Sequence, residues 1–230
     1  YTRVLRHKPS QPDWPDRDRV ILSKGHGCPA LYACMAHTGY FPKERLMSLR
    51  KLGSSLQGHP DRVRLPGVEV STGSLGQGLS IGLGMALAGK LDGKDYHVWC
   101  VLGDGEIQEG QVWEALMAAP KFKLDNLTAI LDWNNGQIDG PVKEVMDIEP
   151  VVEKFQAFRW RTAVIDGHDH AQILKALAAA REGTEGSPLA IIAKTVKGKG
   201  VSFMEHAIDW HGKAPNKSEA DRAVSEIENA

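Results

Sequence analysis

Short apolar runs alternate along the chain with longer segments of helical periodicity. The apolar runs predict strands at 19–22, 97–102, 127–131, 161–165 and 189–194. The intervening pattern predicts helices at 30–38, 42–52, 74–91, 108–119, 148–155, 169–181 and 218–228. Strands separated by helices of this length favour an α/β fold, a parallel sheet with helices on both faces.

The predicted helix 74–91 combines two patterns that rarely occur together. Leucines recur every four positions at Leu75, Leu79, Leu83 and Leu87, and glycines occupy Gly76, Gly78, Gly82 and Gly84. Each glycine inside a helix costs about 1 kcal/mol relative to alanine. An ordinary buried helix is the simpler interpretation, but several glycines on one helix favour close packing of another backbone. We therefore expect a subunit or domain contact on this helix.

Composition and charge disfavour proteins that bind nucleic acid or membranes. The chain has 230 residues, 42% hydrophobic residues and a formal net charge of -1, so no basic surface for nucleic acid or an anionic membrane is expected. No apolar run reaches the roughly 18 residues of a spanning helix. Three cysteines without metal-type spacing indicate reduced thiols and a cytoplasmic protein. We expect a single domain over 1–230, with a core at about 16–196 and a terminal loop and helix at 197–230.

Oxygen-bearing side chains follow two of the predicted strands. Asp104 lies between Gly103 and Gly105 after the strand 97–102, and Asn134 follows the strand 127–131. Alone, the first turn is more simply interpreted as a tight strand-to-helix turn with a capping aspartate. Together, the two strand ends offer the carboxylate and amide oxygens that a hard cation bound to phosphates requires, with a backbone carbonyl near Gly136.

The second half of this site has alternatives within the sequence. Asn135 competes with Asn134 as the ligand, and strand alternation makes Asp132 less suitable. No G-x-G-x-x-G fingerprint follows any predicted strand, which disfavours a dinucleotide site.

Three histidines lie in turns beside glycine, namely His26, His59 and His211. A single histidine is more often a surface or core residue than a catalytic one. Three of them in turns are better explained by a site, because turns place side chains at the rim of a sheet and imidazoles transfer protons near neutral pH.

Several motifs resemble one enzyme family. They are residues 18–26 (DRVILSKGH), 57–60 (QGHP), 71–78 (STGSLGQG), 103–111 (GDGEIQEGQ), 138–140 (IDG) and 194–200 (KTVKGKG) followed by 211–212 (HG). In this order they resemble the transketolases over nearly the whole chain. The resemblance implies the thiamine-diphosphate-binding fold and transfer of a two-carbon ketol unit from a ketose phosphate to an aldose through a thiamine diphosphate carbanion.

The resemblance also implies roles for individual residues. Asp104, Asn134 and the Gly136 carbonyl resemble the metal ligands, for Mg²⁺ or alternatively Ca²⁺. The residues that resemble cofactor contacts are His26, Gly73, Leu75, Gly103, Asp104, Gly105, Glu106, Asn134, Ile138 and His211. Four residues resemble catalytic residues of the family, namely His26, His59, His211 and Glu109. Of these, Glu109 resembles the acid that forms a hydrogen bond across the dimer.

The chain departs from the family pattern at both ends. Nothing before Asp18 resembles the Gly-His-x-Gly-Gly helix that begins transketolases, and the pyrimidine-binding half with its catalytic glutamate does not follow. We expect one chain of a split transketolase, inactive alone and partnered by a separate C-terminal, pyrimidine-binding chain, in a heterotetramer acting on sugar phosphates.

Two alternatives come from other classes. A chain of another thiamine diphosphate enzyme, of the 2-oxo acid dehydrogenase or deoxyxylulose-phosphate synthase type, would share Asp104 and Asn134. It would not be expected to share residues 22–26 together with 211–212. A non-catalytic scaffold paralogue would be expected to lose the metal ligands, and both side chains are present.

Overall fold

The computed structural model describes residues 1–183 and 186–229. In this part of the chain the strands are β1 (Arg19–Leu22), β2 (Val98–Gly103), β3 (Leu127–Trp133), β4 (Gly136–Gln137), β5 (Gly140–Pro141), β6 (Arg161–Asp166) and β7 (Leu189–Lys194). The α-helices are α1 (Cys28–His37), α2 (Gln77–Leu91), α3 (Gly110–Lys121), α4 (Val142–Val145), α5 (Val151–Ala157), α6 (His170–Arg181) and α7 (Lys217–Glu228). Short 3₁₀ helices cover Gly25–Gly27, Lys43–Ser48, Glu106–Gln108 and Ile208–His211.

The main sheet has five parallel strands in the order β1-β2-β3-β7-β6. Because every strand runs in the same direction, their carboxyl ends lie along one edge of the sheet. Helices cover both faces, and the central strands β2 and β7 are almost wholly buried, as expected for a parallel sheet between helical layers. The predicted α/β fold is confirmed.

Alternate residues of the central strands build two separate cores. Cys100 and Ile192 pack with α2 and α3 on one face. Trp99 and Ile191 pack on the opposite face, where Ala180 of α6 joins them. This alternation is the two-residue period of extended backbone. It fixes the register of the strands, and with it the position of every turn at the carboxyl edge.

Helix α2 begins later than predicted, at Gln77 instead of residue 74. Gly76 precedes it with a φ of +79°, a left-handed conformation that favours glycine. The close backbone approach expected for this helix is made within the chain, because a Cβ at Gly78 would lie 2.9 Å from the Cα of Ser23. Gly82 likewise faces Ile21 of β1. These two glycines therefore do not indicate a subunit contact, whereas Gly84 faces outward with no atom within 4 Å.

Other boundaries also differ from the sequence pattern. The predicted helix 42–52 is the shorter 3₁₀ helix Lys43–Ser48, and the predicted helix 148–155 begins at Val151, directly after Pro150. The hairpin of β4 and β5 and the single-turn α4 were not predicted, because elements of two to four residues carry no periodicity.

The terminal segment is less deeply packed than the sheet. Helix α7 contains no buried residue. The division into a core at 16–196 and a segment at 197–230 stays a prediction, and Thr184, Glu185 and Ala230 lie outside the described residues. Within the described ranges, every helix is too short or too polar to cross a membrane.

Candidate functional site

A cleft of about 460 Å³ opens at the carboxyl edge of the sheet. Its lining residues are Lys24, His26, Leu75, Gly103, Asp104, Gly105, Glu106, Gln108, Glu109, Asn134, Gly136, Gln137, Ile138, Asp139, Lys197, His211 and Gly212. The ends of β2 and β3 and the turns after β1 and β7 contribute to it. The cleft thus brings together nearly all the site residues predicted from the sequence, although their motifs lie far apart along the chain.

Asp104 lies at the centre of the cleft floor and is only 2% exposed. One carboxylate oxygen accepts a hydrogen bond from the Gly105 amide at 2.8 Å, and the other accepts from the amides of Asn134, at 2.9 Å, and Asn135. Burial raises the pKa of this carboxyl, although the three amides act in the opposite direction. A carboxylate offers about four acceptor positions, so capacity for a cation remains.

The two side chains of the Asn134–Asn135 doublet lie in different surroundings. Asn134 lines the cleft, and its Oδ1 accepts from the Gly136 amide at 3.0 Å. Asn135 has a φ of +57° and is exposed, and its Oδ1 accepts from the Lys143 amide at 3.0 Å, outside the cleft. Asp132 pairs instead with Lys24 and accepts from the Thr195 hydroxyl. Of the two asparagines, Asn134 is the one that lines the cleft with Asp104, and its role as a ligand stays a prediction.

Glu106, which the family resemblance assigns to the cofactor, is engaged inside the protein. Its carboxylate is 2% exposed and accepts from the Ser23 hydroxyl and from the amides of Gly76 and Gly103, each at 3.0 Å. Ser23 in turn accepts from the Gly78 amide at 3.1 Å. Glu106 therefore supports the glycine turns from beneath, and Ser23, for which no role was predicted, is its partner in doing so.

The rings of His26 and His211 lie next to each other in the cleft lining, with centroids 5.0 Å apart. Burial, the neighbouring His211 and the two lysines Lys24 and Lys197 lower the pKa of His26 to about 4. Burial and the same lysines also lower the pKa of His211. Both rings are therefore neutral at pH 7. The Nδ1 atom of His211 is buried and has no hydrogen-bond partner within the described part of the chain, so this polar atom is left unsatisfied beside the cleft.

His59 and Gly73 lie together beside the cleft and are not among its lining residues. Gly73 has a φ of +147°, and a Cβ there would lie 2.9 Å from the His59 imidazole. His59 contributes to the lowered pKa of His26, which places it in the same electrostatic environment. The two predicted residues thus share one location, at the His26 side of the cleft.

Lys24 and Lys197 lie within the sequence motifs, but no role was predicted for them. Lys24 is held by Asp132, whereas the half-buried Lys197 makes no ion pair within 1–183 and 186–229. Burial, and then the charge of Lys24, lower the pKa of Lys197. The signal in the sequence was a lysine in a glycine-bounded turn directly after a strand, once after β1 and once after β7. Together they place two cationic side chains at the cleft, whose lining also includes the carboxylates of Asp104, Glu106, Glu109 and Asp139.

The rim of the cleft is more open. Glu109 is exposed and lies against Gly76, where a Cβ would be 2.6 Å from its side chain. Ile138 is 71% exposed, and Leu75 is half-buried. Gln108 joins this rim to the β4–β5 hairpin by donating to Gln137 at 2.7 Å.

The polar groups that line the cleft fit a diphosphate with a cation. A Cβ at Gly105 would approach Gln137 to 3.0 Å, so the floor has little space for a side chain. The buried carboxylate of Asp104, the unpaired Lys197 and the unsatisfied Nδ1 of His211 supply an oxygen ligand, a positive charge and a hydrogen-bonding group. The described residues contain no group of three or more His, Cys, Asp or Glu suited to a metal. The predicted metal ligands do not require such a group, because they are one carboxylate, one amide and one backbone carbonyl.

Comparison with known proteins adds a family context. A family model described as "Transketolase, thiamine diphosphate binding domain" matches residues 1–227. The chain is 44% identical over 228 residues to the 6-deoxy-6-sulfo-D-fructose transketolase subunit SqwG of Clostridium sp. (strain MSTE9), covering 99% of this chain and 82% of that protein. It is 40% identical over 227 residues to one of the subunits of the apulose-4-phosphate transketolase of Phocaeicola vulgatus, covering 99% and 80%.

A solved structure supports the same context. The crystal structure of transketolase from Campylobacter jejuni matches with a TM-score of 0.91 and 37% identity, over 97% of this chain and 36% of that one. The chain thus spans about a third of this longer protein and about four fifths of the two subunit proteins.

Proposed function

Because the chain belongs to the transketolase family, we propose that it is the thiamine-diphosphate-binding subunit of a two-subunit transketolase. The assembled enzyme moves a two-carbon ketol unit from a ketose phosphate to an aldose. The observation that carries this proposal is the cleft, in which Asp104, Asn134 and Gly136 meet His26 and His211 at one edge of the sheet. The matched family model, whose description names thiamine diphosphate, supports it.

The metal would be held at the ends of β2 and β3. The Asp104 carboxylate, the Asn134 side-chain oxygen and the Gly136 carbonyl would be the ligands. Mg²⁺ suits such a set of oxygens, with Ca²⁺ as the alternative. The raised pKa of Asp104 supports this assignment, because a cation would offset the cost of keeping that carboxylate charged in a buried position.

The residues that line the cleft from Lys197 to the rim would hold the cofactor. Lys197, His26 and His211 would bind its diphosphate, and Gly103 and Gly105 would leave room for it on the cleft floor. Gly73 and Leu75 are assigned to its aminopyrimidine, and Ile138 to the apolar wall beneath it.

When bound, thiamine diphosphate supplies the carbon nucleophile and the electron sink of the reaction. The chain's own part is to orient the sugar and to move protons at its hydroxyl groups. His26 and His211 would accept protons as neutral imidazoles, although burial lowers the pKa of both and makes each a weaker base than a free imidazole. His59 is assigned to the first hydroxyl of the donor.

A partner chain is supported by the relatives and by the surface. Both subunit proteins are named as parts of transketolases, and this chain covers most of their length. The outer face of α2 carries four exposed apolar or small residues, Ile81, Gly84, Ala88 and Leu91. Gln77 of α2 donates to Gln111 of α3 at 2.7 Å, close to Glu109, so this face is continuous with the cleft rim. We assign it to the separate pyrimidine-binding subunit, with Glu109 bonding across the interface of a cytoplasmic heterotetramer.

The sugar substrates are proposed as a class. Pentose-phosphate-type ketoses are the default donors. The names of the two subunit relatives add 6-deoxy-6-sulfo-D-fructose and apulose-4-phosphate as donors to be compared.

The test is to purify the chain alone and with its candidate partner subunit. Calorimetry with thiamine diphosphate and Mg²⁺ should show binding in the assembly, and ketol transfer should appear only there. Full activity of the chain alone would contradict the two-subunit proposal. Decarboxylation of a 2-oxo acid without ketol transfer would favour the other thiamine diphosphate branch, and absence of cofactor binding in the assembly would favour a scaffold.

A further inference from the structure

The loop that follows β7 reaches the cleft at both of its ends. It covers residues 196–212, and Lys197 and His211 both line the cleft. The loop is folded tightly upon itself, because the His206 amide donates to the Lys197 carbonyl at 3.0 Å. A Cβ at Gly198, which has a φ of +75°, would lie 2.4 Å from the Met204 carbonyl oxygen. The two cleft residues are therefore parts of one compact unit.

The far side of this loop is attached to α7 by one dense polar cluster. The Glu226 carboxylate accepts from the Ser202 amide at 2.6 Å and from the Ser202 hydroxyl at 2.9 Å. It also accepts from the Arg222 Nε at 2.8 Å, while the Arg222 Nη2 donates to the Ser202 hydroxyl at 2.8 Å. Two α7 side chains thus hold a single loop residue through a closed set of charge-assisted bonds.

From this cluster a series of ring contacts runs back to the cleft. The Arg222 guanidinium lies 4.7 Å from the centroid of Phe203, and Phe203 meets Trp210 edge-on with centroids 5.5 Å apart. Trp210 directly precedes His211, whose ring faces His26. Movement of the Arg222 side chain therefore bears on the residue next to His211.

Helix α7 does little else for the fold. It has no buried residue, and its first turn is stabilised locally by a capping box between Asn216 and Glu219. Glu219 also pairs with Lys213 at 3.4 Å, and the Lys213 ammonium lies 4.0 Å above Trp210. Since α7 adds nothing to the buried core, its principal contacts are those to the loop.

We propose that Glu226 and Arg222 are positioning residues for the cofactor site, which hold the 196–212 loop so that His211 and Lys197 remain in the cleft. This inference rests on the proposed function, in which those two side chains meet thiamine diphosphate. Neither Glu226 nor Arg222 lines the cleft, so they act only through the loop. Releasing the loop lowers the fraction of molecules competent to bind and weakens affinity in proportion.

The test compares Glu226→Gln with a matched change on the same helix. Glutamine keeps the shape of the side chain but cannot accept from Ser202 and Arg222 through both of its terminal atoms. Asp221→Asn is the control, because it removes only the exposed pair with Lys217. Arg222→Lys is a second variant, which keeps the charge but loses the fork that joins Ser202 to Glu226.

Two measurements are made on each variant. Hydrogen exchange of residues 203–212 in the full chain should become faster in Glu226→Gln and Arg222→Lys and stay unchanged in Asp221→Asn. In the assembly with the partner chain, the affinity for thiamine diphosphate should fall by about three- to tenfold in the two loop variants, with the rate at saturating cofactor restored to the wild-type value.

Unchanged exchange in both loop variants would overturn the proposal. So would faster exchange with wild-type affinity for thiamine diphosphate, because the loop would then be held without consequence for the site. If the wild-type assembly itself bound no thiamine diphosphate, the proposed function would fail. The exchange comparison would then separately decide whether Glu226 holds the loop.

Discussion

The carboxylate of Asp104 lies between two strand ends, where three backbone amides donate to it and burial raises its pKa. The amides fix the direction of the carboxylate. Within the described residues no cationic side chain is bonded to it, so its charge has no ion pair. Lys24 is close by but is held by Asp132. Asp104 is therefore the residue for which we propose the closest dependence on a bound cation.

The first prediction concerns this residue. Asp104→Asn removes the charge of the proposed metal ligand, and we expect the Mg²⁺-dependent affinity for thiamine diphosphate to fall by more than about 100-fold, beyond the range typical of outer-shell changes. Calorimetry of the assembled enzyme measures it. Asp139→Asn is the matched control, because Asp139 lines the same cleft and is exposed. Equal losses in both variants would show that the general charge of the cleft, and not a ligand bond, determines affinity.

Single residues also show how far the sequence could predict the site. Asp104, Asn134, His26 and His211 were predicted from motifs, and the fold brings all four to one cleft. The role of Glu106 could not be predicted, because its partners Ser23 and Gly76 come from two distant turns. Proximity between turns follows from strand order, which the local pattern of one segment does not contain.

At the scale of elements, α2 shows why glycines in one helix are not equivalent. A Cβ at Gly78 would lie 2.4 Å from the Ser23 hydroxyl oxygen and 2.5 Å from its Cβ, whereas a Cβ at Gly84 meets no atom within 4 Å. The first glycine permits the helix to approach the end of β1. The second carries only the entropic cost of glycine in a helix.

The second prediction uses this pair. Gly78→Ala should lower the free energy of unfolding by about 1–3 kcal/mol, because the added methyl group overpacks a buried contact. Gly84→Ala should raise it by about 0.5–1 kcal/mol through helix propensity. Urea unfolding of the isolated chain measures both. A destabilising Gly84→Ala would contradict the exposed position of Gly84, and a neutral Gly78→Ala would contradict the close approach.

A buried histidine side chain connects the neighbouring strands β2 and β3 of the main sheet. His97, directly before β2, is 4% exposed, and its Nε2 lies 2.8 Å from the Thr128 hydroxyl of β3. Burial, and then the charge of Arg181, lower the pKa of His97 to about 4. The folded chain therefore keeps this ring neutral at pH values where an unfolded chain would protonate it.

The third prediction is a loss of stability in acid. Because the folded pKa lies below the unfolded value of about 6.5, the unfolded state binds more protons between these two values, and stability falls as the pH falls through this window. The His97 share of that loss is about 2 kcal/mol at pH 5. His97→Gln should lose less stability than the wild type between pH 7 and pH 5 in urea unfolding. His37→Gln, at an exposed position, is the control. Equal pH dependence in all three proteins would contradict this account.

The elements themselves were largely predictable, and the exceptions have a physical cause. The strand Leu189–Lys194 was predicted to the residue, because its apolar run is long and bounded by turns. The start of α2 was misplaced because the left-handed φ of Gly76 ends the preceding turn, and a sequence pattern does not reveal which of several glycines adopts that conformation. The β4–β5 hairpin was missed although it carries Gln137 and frames Ile138 at the cleft.

At the scale of the whole molecule, the cleft and the outer face of α2 form one exposed surface. The cleft rim carries Ile138, which is 71% exposed, and Leu91 at the far end of α2 is 77% exposed. Exposed apolar side chains along a continuous face are typical of a contact with another protein. The bond between Gln77 and Gln111 joins the two parts at the rim. A partner seated on α2 would therefore also cover the open side of the cofactor cleft.

The fourth prediction follows from this continuity. Ala88→Arg places a long charged side chain on the exposed face of α2, where the isolated chain has room for it. We expect wild-type stability of the isolated chain, loss of the complex with the partner chain in sedimentation analysis, and loss of ketol transfer with it. Ala178→Arg is the matched control, because Ala178 is exposed on α6, which covers the opposite face of the sheet. Since a buried unpaired arginine at an interface is strongly unfavourable, an intact complex in Ala88→Arg would exclude α2 as the contact and require another surface beside the cleft. Loss of the complex in Ala178→Arg alone would place the partner on the α6 face, away from Glu109 and the cofactor rim.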